Sequence, residues 1–289
     1  MAYNQDMSFV QKITQRMNNS LLCVGLDSDY EKLPDVVKKN STLEESIFNF
    51  NKEIIDSTYD FVSAFKINVV FYAGYGISGL KALRKTNQYI KKYYPAIQII
   101  ADCKRSEMLR SAELAAKELF EEFLFDAFTV TPWFGYDTVE PYKKYKDKAI
   151  FITGHDSNPT APEIQEVELK NGQFLYEYVA ELIHKKWVQS GNVFIEAGLT
   201  YPKQLKKIRE ICGDEMIILA VGLGPQGGKL EDIVYGLNSK GNNLIISASR
   251  DIIFASLDKD FSVKARDKAK EISENINIIR REFVNSSLL

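Results

Sequence analysis

Short apolar runs rich in β-branched and aromatic residues recur along the chain, separated by longer stretches whose apolar positions have helical spacing. The runs that predict β-strands span residues 21–26, 61–67, 97–102, 127–131, 148–153, 192–197, 216–221 and 243–247. The stretches that predict helices include residues 42–59, 78–92, 106–123, 172–190 and 202–211. Ser41, followed three residues later by Glu44, predicts a capping box at the first of these helices.

The strand runs are almost continuously apolar, which is typical of a parallel sheet covered by helices on both faces. An open doubly wound sheet would satisfy this pattern. Eight βα repeats favour closure into a (β/α)₈ TIM barrel instead. The length of 289 residues allows two domains, but the repeat count predicts a single barrel domain over residues 1–289, with residues 262–284 as the closing helix.

Charge and composition limit the classes of molecule that the protein can bind. The chain has 37 basic and 39 acidic side chains, a balance that argues against nucleic acid and leaves room only for a local basic pocket. Cys23, Cys103 and Cys212 form no CxxC pair, and His155 and His184 are too few for a histidine metal cluster. No run of 18 apolar residues and no signal-peptide pattern occurs. We therefore predict a cytoplasmic protein without a metal or membrane span.

Charged residues stand where several predicted strands end, the edge at which TIM barrels carry their active sites. Asp27 follows the first strand, Lys66 ends the second, and Asp102 and Lys104 end the third. Alternate residues of a strand share a face, so Asp102 and Lys104 are expected to point together, with Lys66 beside them. Such an array keeps the lysines protonated and suits stabilisation or protonation of a carbanion. A structural salt bridge or a Schiff-base lysine are the alternatives, and the adjacent carboxylates disfavour the second.

A second group of residues predicts a phosphate site. Residues 222–228 (GLGPQGG) follow the seventh strand, and Ser249 and Arg250 follow the eighth. Glycines let backbone N–H groups approach an anion, and an arginine can bind phosphate through two hydrogen bonds. The alternative is a simple loop beside a solvated arginine. Elsewhere, His155 is expected to lie at the rim of the barrel rather than to act as a base.

The order of these motifs resembles the orotidine 5′-phosphate decarboxylase family, especially its longer bacterial branch. The resemblance covers roughly residues 21–255. It rests on the ordered blocks LLCVGLD, FKINVVFYAGYG, DCKRSE, TVTPWFGYD, GHDSNP, AGLTYP, GLGPQGG and SASRDIIFA.

The resemblance implies a homodimer with shared active sites that converts orotidine monophosphate to uridine monophosphate and CO₂ without a cofactor. Lys66, Asp102 and Lys104 match the first three members of the family's Lys-Asp-Lys-Asp array, and Lys104 would protonate C6 of the pyrimidine. Lys66 would contact the ribose and hold Asp102. The implied substrate-binding residues are Asp27 for the ribose, Ser157 for the pyrimidine edge, Gln226 for base and phosphate, and Gly227, Gly228, Ser249 and Arg250 around the phosphate.

One motif departs from the family pattern. The signature D-x-K-x-x-D ends here in Glu107, and Ser111 stands where the family usually has threonine. By resemblance Glu107 would reach across the dimer into the partner's site, with one methylene more than aspartate. This leaves two alternatives open: a catalytically impaired nucleotide-binding homologue, or a metal-assisted sugar-phosphate enzyme on the same barrel.

Overall fold

All the apolar runs predicted as strands form β-strands, and in the computed structural model, which describes residues 7–287, they close into a parallel barrel. Each strand pairs with the next, and the last returns to the first, where Leu22 lies opposite Ile246. The strands are β1 (Leu22–Gly25), β2 (Ala64–Asn68), β3 (Gln98–Arg105), β4 (Ala127–Val130), β5 (Ala149–His155), β6 (Val193–Gly198), β7 (Ile218–Val221) and β8 (Leu244–Ala248). The TIM barrel is confirmed. Residues 1–6 and 288–289 of the predicted domain lie outside the described residues.

Helices alternate with the strands and cover the outside of the barrel. They are α1 (Phe9–Met17), α2 (Asp35–Lys38), α3 (Leu43–Thr58), α4 (Val70–Ala73), α5 (Gly76–Tyr93), α6 (Leu109–Ala116), α7 (Pro162–Gln165), α8 (Leu175–Leu182), α9 (Pro202–Cys212), α10 (Arg250–Ile253) and α11 (Phe261–Ser287). Short π-helical turns extend α6 through residue 122 and α8 through residue 187. None of the helices among residues 7–287 is long and apolar enough to cross a membrane.

Several helix starts differ from the sequence prediction by one to three residues. The first capping box uses Thr42 and Glu45 rather than Ser41 and Glu44: the Thr42 hydroxyl accepts from the Glu45 N–H, and the Thr42 N–H donates to the Glu45 carboxylate. The helix predicted from residue 172 begins at Leu175, because the chain first makes a short turn with a left-handed glycine. Both shifts are local, so the covering faces of the helices are unchanged.

Helix α1 was not predicted, although its sequence carries the signals of a helix. Ser8 and Gln11 form a capping box, and Phe9, Ile13 and Met17 are buried at helical spacing. The Phe9 ring packs 5.9 Å from the ring of Phe151 on β5. This helix therefore packs its apolar face against the barrel ahead of β1.

A buried ion pair lies where β4 begins, away from the strand ends that carry the predicted site. Asp126, directly before β4, contacts the ammonium groups of Lys91 and Lys148 and accepts the N–H of Ile99 at 2.9 Å. Burial raises the pKa of Asp126, but the two lysines and this hydrogen bond outweigh that effect and hold the pKa below its ordinary value. The pair fixes the start of β4 relative to β3.

Candidate active site

The carboxyl ends of the strands surround a cavity of about 370 Å³. Eight of the predicted site residues line it: Asp27, Lys66, Asp102, Lys104, Ser157, Gln226, Ser249 and Arg250. These side chains come from segments far apart in sequence, and the barrel brings them together because all its strands run in the same direction. Most of the sequence-predicted site is thus one continuous surface.

The charged residues of this cavity form an alternating chain. Asp102 Oδ2 lies 3.1 Å from Lys66 Nζ, and Asp102 Oδ1 lies 2.7 Å from Lys104 Nζ. Lys66 Nζ also lies 3.9 Å from Asp27 Oδ1. The Lys66 side chain is only 6% exposed whereas that of Lys104 is 36% exposed, so Lys104 is the lysine that a ligand in the cavity can reach.

The array holds both lysines protonated and Asp102 ionised. Burial alone would lower the pKa of Lys66 and Lys104, but the neighbouring carboxylates outweigh it and raise both pKa values above the ordinary lysine range. Burial would raise the pKa of Asp102, but the two lysines outweigh it and hold that pKa well below its usual range. The sequence prediction of mutual stabilisation is consistent with this arrangement.

Lys104 reaches the cavity through a bulge and not through simple strand alternation. The register between β3 and β4 shifts between Ala101 and Arg105, and Lys104 has a left-handed backbone with φ of 44°. The Thr129 hydroxyl of β4 supports this bulge by accepting the N–H groups of Cys103 (3.0 Å) and Lys104 (2.9 Å). The same hydroxyl lies 3.3 Å from Asp102 Oδ1 and donates to it. Bulges re-aim side chains in this way near functional sites.

Glu196 also belongs to this charge cluster, and the sequence analysis did not single it out. It lies in the middle of β6, is completely buried, and places Oε1 3.3 Å from Lys104 Nζ. The available signal was a lone acidic residue inside the apolar run NVFIEA. A buried carboxylate in a strand interior is rare unless a cation pairs with it.

Most of the residues predicted to bind phosphate line the same cavity. The loop after β7 folds tightly, with the Gly228 N–H donating to Gly222 O at 3.0 Å, and Gln226 Oε1 accepts from the Ser157 hydroxyl at 2.8 Å. Arg250 begins the one-turn helix α10 and lines the same cavity. Lys32, which the sequence analysis missed, also lines the cavity and pairs with Asp29 at 3.3 Å. Among the residues predicted to bind phosphate, Arg250 is therefore the cation that can bind an anionic group.

Several predicted residues do not line the cavity of their own chain. Gly227 and Gly228 close the loop behind Gln226 without facing the cavity, whereas Glu107 and Ser111 lie beyond the end of β3. The Ser111 hydroxyl donates to Met108 O at 2.8 Å.

The expected rim position of His155 is wrong. His155 is the last residue of β5 and is completely buried, with Nε2 3.0 Å from a carboxylate oxygen of Glu166 and its ring packed against Tyr201. Tyr176 on α8 also packs against the ring, so residues from three later segments surround it. Among residues 7–287 no group of three or more His, Cys, Asp or Glu side chains is arranged to hold a metal ion.

Comparisons with known proteins agree with this geometry. The chain is 38% identical over 277 residues to the orotidine 5′-phosphate decarboxylase of Cellvibrio japonicus, covering 95% of this chain and 100% of that one. It is 38% identical to the enzyme of the same name from Thermomicrobium roseum, covering 97% and 99% of the two chains. The solved structure of Leishmania donovani OMP decarboxylase superposes with a TM-score of 0.81 at 28% identity, covering 95% of this chain and 99% of that chain. The sequence profile of the orotidine 5′-phosphate decarboxylase / HUMPS family matches residues 20–265, and the chain therefore belongs to that family.

Proposed function

We propose that this protein decarboxylates orotidine 5′-phosphate to uridine 5′-phosphate and CO₂ without a cofactor. The observation that carries the proposal is the Lys66–Asp102–Lys104 array, which lies in the same cavity as Arg250. A phosphate bound at Arg250 would leave the pyrimidine to extend toward the array. The relatives named for this reaction, which this chain matches over nearly its whole length, support the assignment.

In this mechanism the bond between C6 and the carboxylate breaks and leaves its electron pair on C6. Asp102, ionised and fixed by Lys66, lies close to where the substrate carboxylate sits and disfavours that anion more than the departing neutral CO₂. The Lys104 ammonium stabilises the developing carbanion and then donates its proton to C6. Its raised pKa keeps the ammonium charged until that step.

Binding in this proposal uses the remaining predicted residues. Arg250 and the loop after β7 take the phosphate, Asp27 takes a ribose hydroxyl, and the bridged Ser157–Gln226 pair takes the pyrimidine edge. Ser249 lies beside Arg250, with its hydroxyl bonded to Gly25 O at 3.0 Å.

A homodimer with shared active sites is also part of the proposal, since Glu107 has no place in the cavity of its own chain. From a partner subunit it would approach the substrate carboxylate beside Lys104. If its extra methylene impairs catalysis, Glu107→Asp will raise kcat. An unchanged or lower kcat in that variant would show that Glu107 is not a defect.

The test of the proposed function is direct turnover. Purified protein mixed with orotidine 5′-phosphate should release CO₂ and form uridine 5′-phosphate, and activity should survive a strong chelator. Lys104→Ala should lose turnover and still bind uridine 5′-phosphate. Absence of turnover above the uncatalysed rate refutes the decarboxylase, and loss of activity on chelation favours the metal-assisted alternative.

A further inference from the structure

The proposed mechanism gives Glu196 no role, although the environment of its carboxylate is unusual. Its carboxylate is completely buried, and among the described residues neither oxygen accepts a hydrogen bond. Glu196 Oε1 forms an ion pair with Lys104 Nζ at a distance of 3.3 Å. Isolating a carboxylate from water without hydrogen bonds is costly, so such a group usually has a functional reason to be present.

The position of Glu196 is what makes it useful to Lys104. Asp102 holds the Lys104 ammonium from β3 itself, whereas Glu196 holds it from β6, three strands further around the barrel. Two carboxylates on different strands fix the ammonium in two directions. An ammonium has three N–H donors. One donates to Asp102, and Glu196 holds the ammonium by charge without accepting a hydrogen bond, so N–H donors remain for a ligand in the cavity.

We propose that Glu196 is a positioning residue that holds the Lys104 ammonium, together with Asp102, so that a free N–H of the ammonium is directed into the cavity. This inference rests on the proposed function, in which Lys104 delivers a proton to C6. Glu196 does not touch the substrate in this arrangement. Its contribution passes entirely through Lys104.

The anchor is expected to depend on pH. Burial raises the pKa of Glu196 to about 7; Lys104 opposes this rise, and Asp102 and Asp156 add to it. Lys66 is the remaining charge in range, and the strand neighbours of Glu196, Thr153 on β5 and Leu219 on β7, are uncharged. Glu196 is therefore ionised above about pH 7 and loses its charge below it, so kcat should fall as the pH drops through this value.

The decisive variant is Glu196→Gln, which keeps the shape of the side chain and removes its charge. Displacing a preorganised group by about 1 Å costs about 100-fold in rate. We expect kcat to fall by about 10- to 100-fold, KM to change by less than about threefold, and the decrease of kcat near pH 7 to disappear. Glu196→Asp, which keeps the charge on a shorter side chain, should restore part of kcat. The acidic limb is the decrease of kcat as the pH falls below about 7. If Glu196→Gln leaves kcat unchanged and keeps this acidic limb, the proposal is overturned.

Two further variants separate this role from a structural one. Asp126→Asn neutralises another fully buried carboxylate, at the start of β4 and away from the cavity. It should lower stability and leave kcat and the acidic limb unchanged. Asp156→Asn should retain the limb. If Asp156→Asn removes it and Glu196→Gln does not, the limb belongs to Asp156 and the Glu196 anchor is refuted.

A measurement without turnover keeps the inference separate from the proposed function. The Lys104 ammonium can be followed by ¹⁵N NMR of lysine-labelled protein, with Lys104→Arg to assign its signal. Glu196→Gln should lower the pKa of this ammonium, and Asp126→Asn should leave it in place. A protein that shows this shift but no decarboxylation would refute the function and retain the anchor. If the enzyme is active and Glu196→Gln leaves the pKa of Lys104 unchanged, the anchoring role of Glu196 is refuted and the proposed function is retained.

Discussion

Thr129 supplies the sharpest test of how the fold aims Lys104. Its hydroxyl accepts the N–H groups of Cys103 and Lys104 at 3.0 and 2.9 Å and donates to Asp102 at 3.3 Å. Thr129→Val keeps the shape of the side chain and removes all three interactions. The left-handed backbone of Lys104, at φ of 44°, then loses the acceptor that holds it.

The size of the effect follows from these contacts. A buried N–H left without an acceptor costs about 1–3 kcal/mol. Because the bulge is partly open to water, we take the lower end for each group and expect a loss of about 2 kcal/mol. In a protein of this size that loss lowers Tm by about 5 °C. Release of the bulge also moves the Lys104 ammonium, and a shift of about 1 Å lowers kcat by about 100-fold.

The assay compares kcat, KM and Tm of Thr129→Val with those of Thr153→Val. Thr153 is a matched control, because it is also buried in the neighbouring strand β5 and its hydroxyl makes no hydrogen bond among the described residues. Thr153→Val should be nearly neutral in stability and in kcat. If the two variants behave alike, Thr129 does not hold the bulge and the reasoning fails.

Three further predictions concern the two ends of the barrel. Arg250→Ala should raise KM for orotidine 5′-phosphate by about 100-fold, since a charged pair of hydrogen bonds to phosphate is worth about 3 kcal/mol; an unchanged KM would place the phosphate elsewhere. Gly228→Ala should weaken uridine 5′-phosphate binding by about tenfold, measured by calorimetry, because the added Cβ would lie 2.5 Å from Gly222 O and push the loop open; wild-type affinity would show that the loop does not shape the site. Asp126→Asn should lower the free energy of unfolding at pH 7 by about 3 kcal/mol, measured in urea, because it leaves Lys91 without its carboxylate. The pKa of Asp126 is lowered in the folded state, so this stabilisation is present above about pH 4 and is lost as the pH falls through the folded pKa. A stability difference that persists unchanged in acid would contradict it.

The strands and the polar residues at their ends could be predicted because both depend on local sequence. Residues 97–102 are mostly apolar and β-branched and so predict a strand, which Asp102 ends and Lys104 follows. Helix starts such as that of α3 were predicted one residue early, because Ser41 and Thr42 both satisfy the capping pattern and only backbone geometry chooses between them.

Tertiary structure decided the rest, since it depends on contacts between distant segments. The meeting of Glu196 with Lys104 brings together residues on two strands that are not neighbours in the barrel, and nothing near Glu196 in sequence announces it. The burial of His155 depends on Glu166, Tyr176 and Tyr201, which come from three later segments of the chain. Strand alternation predicts that Lys104 points with Asp102, but in the structure a bulge supported by Thr129 on the neighbouring strand aims Lys104. Sequence by itself determined which residues could form strands and which charges ended them, because hydrophobic burial is encoded locally. The closed barrel decided which of those charges touch, because only closure brings distant strands within a few ångströms of each other.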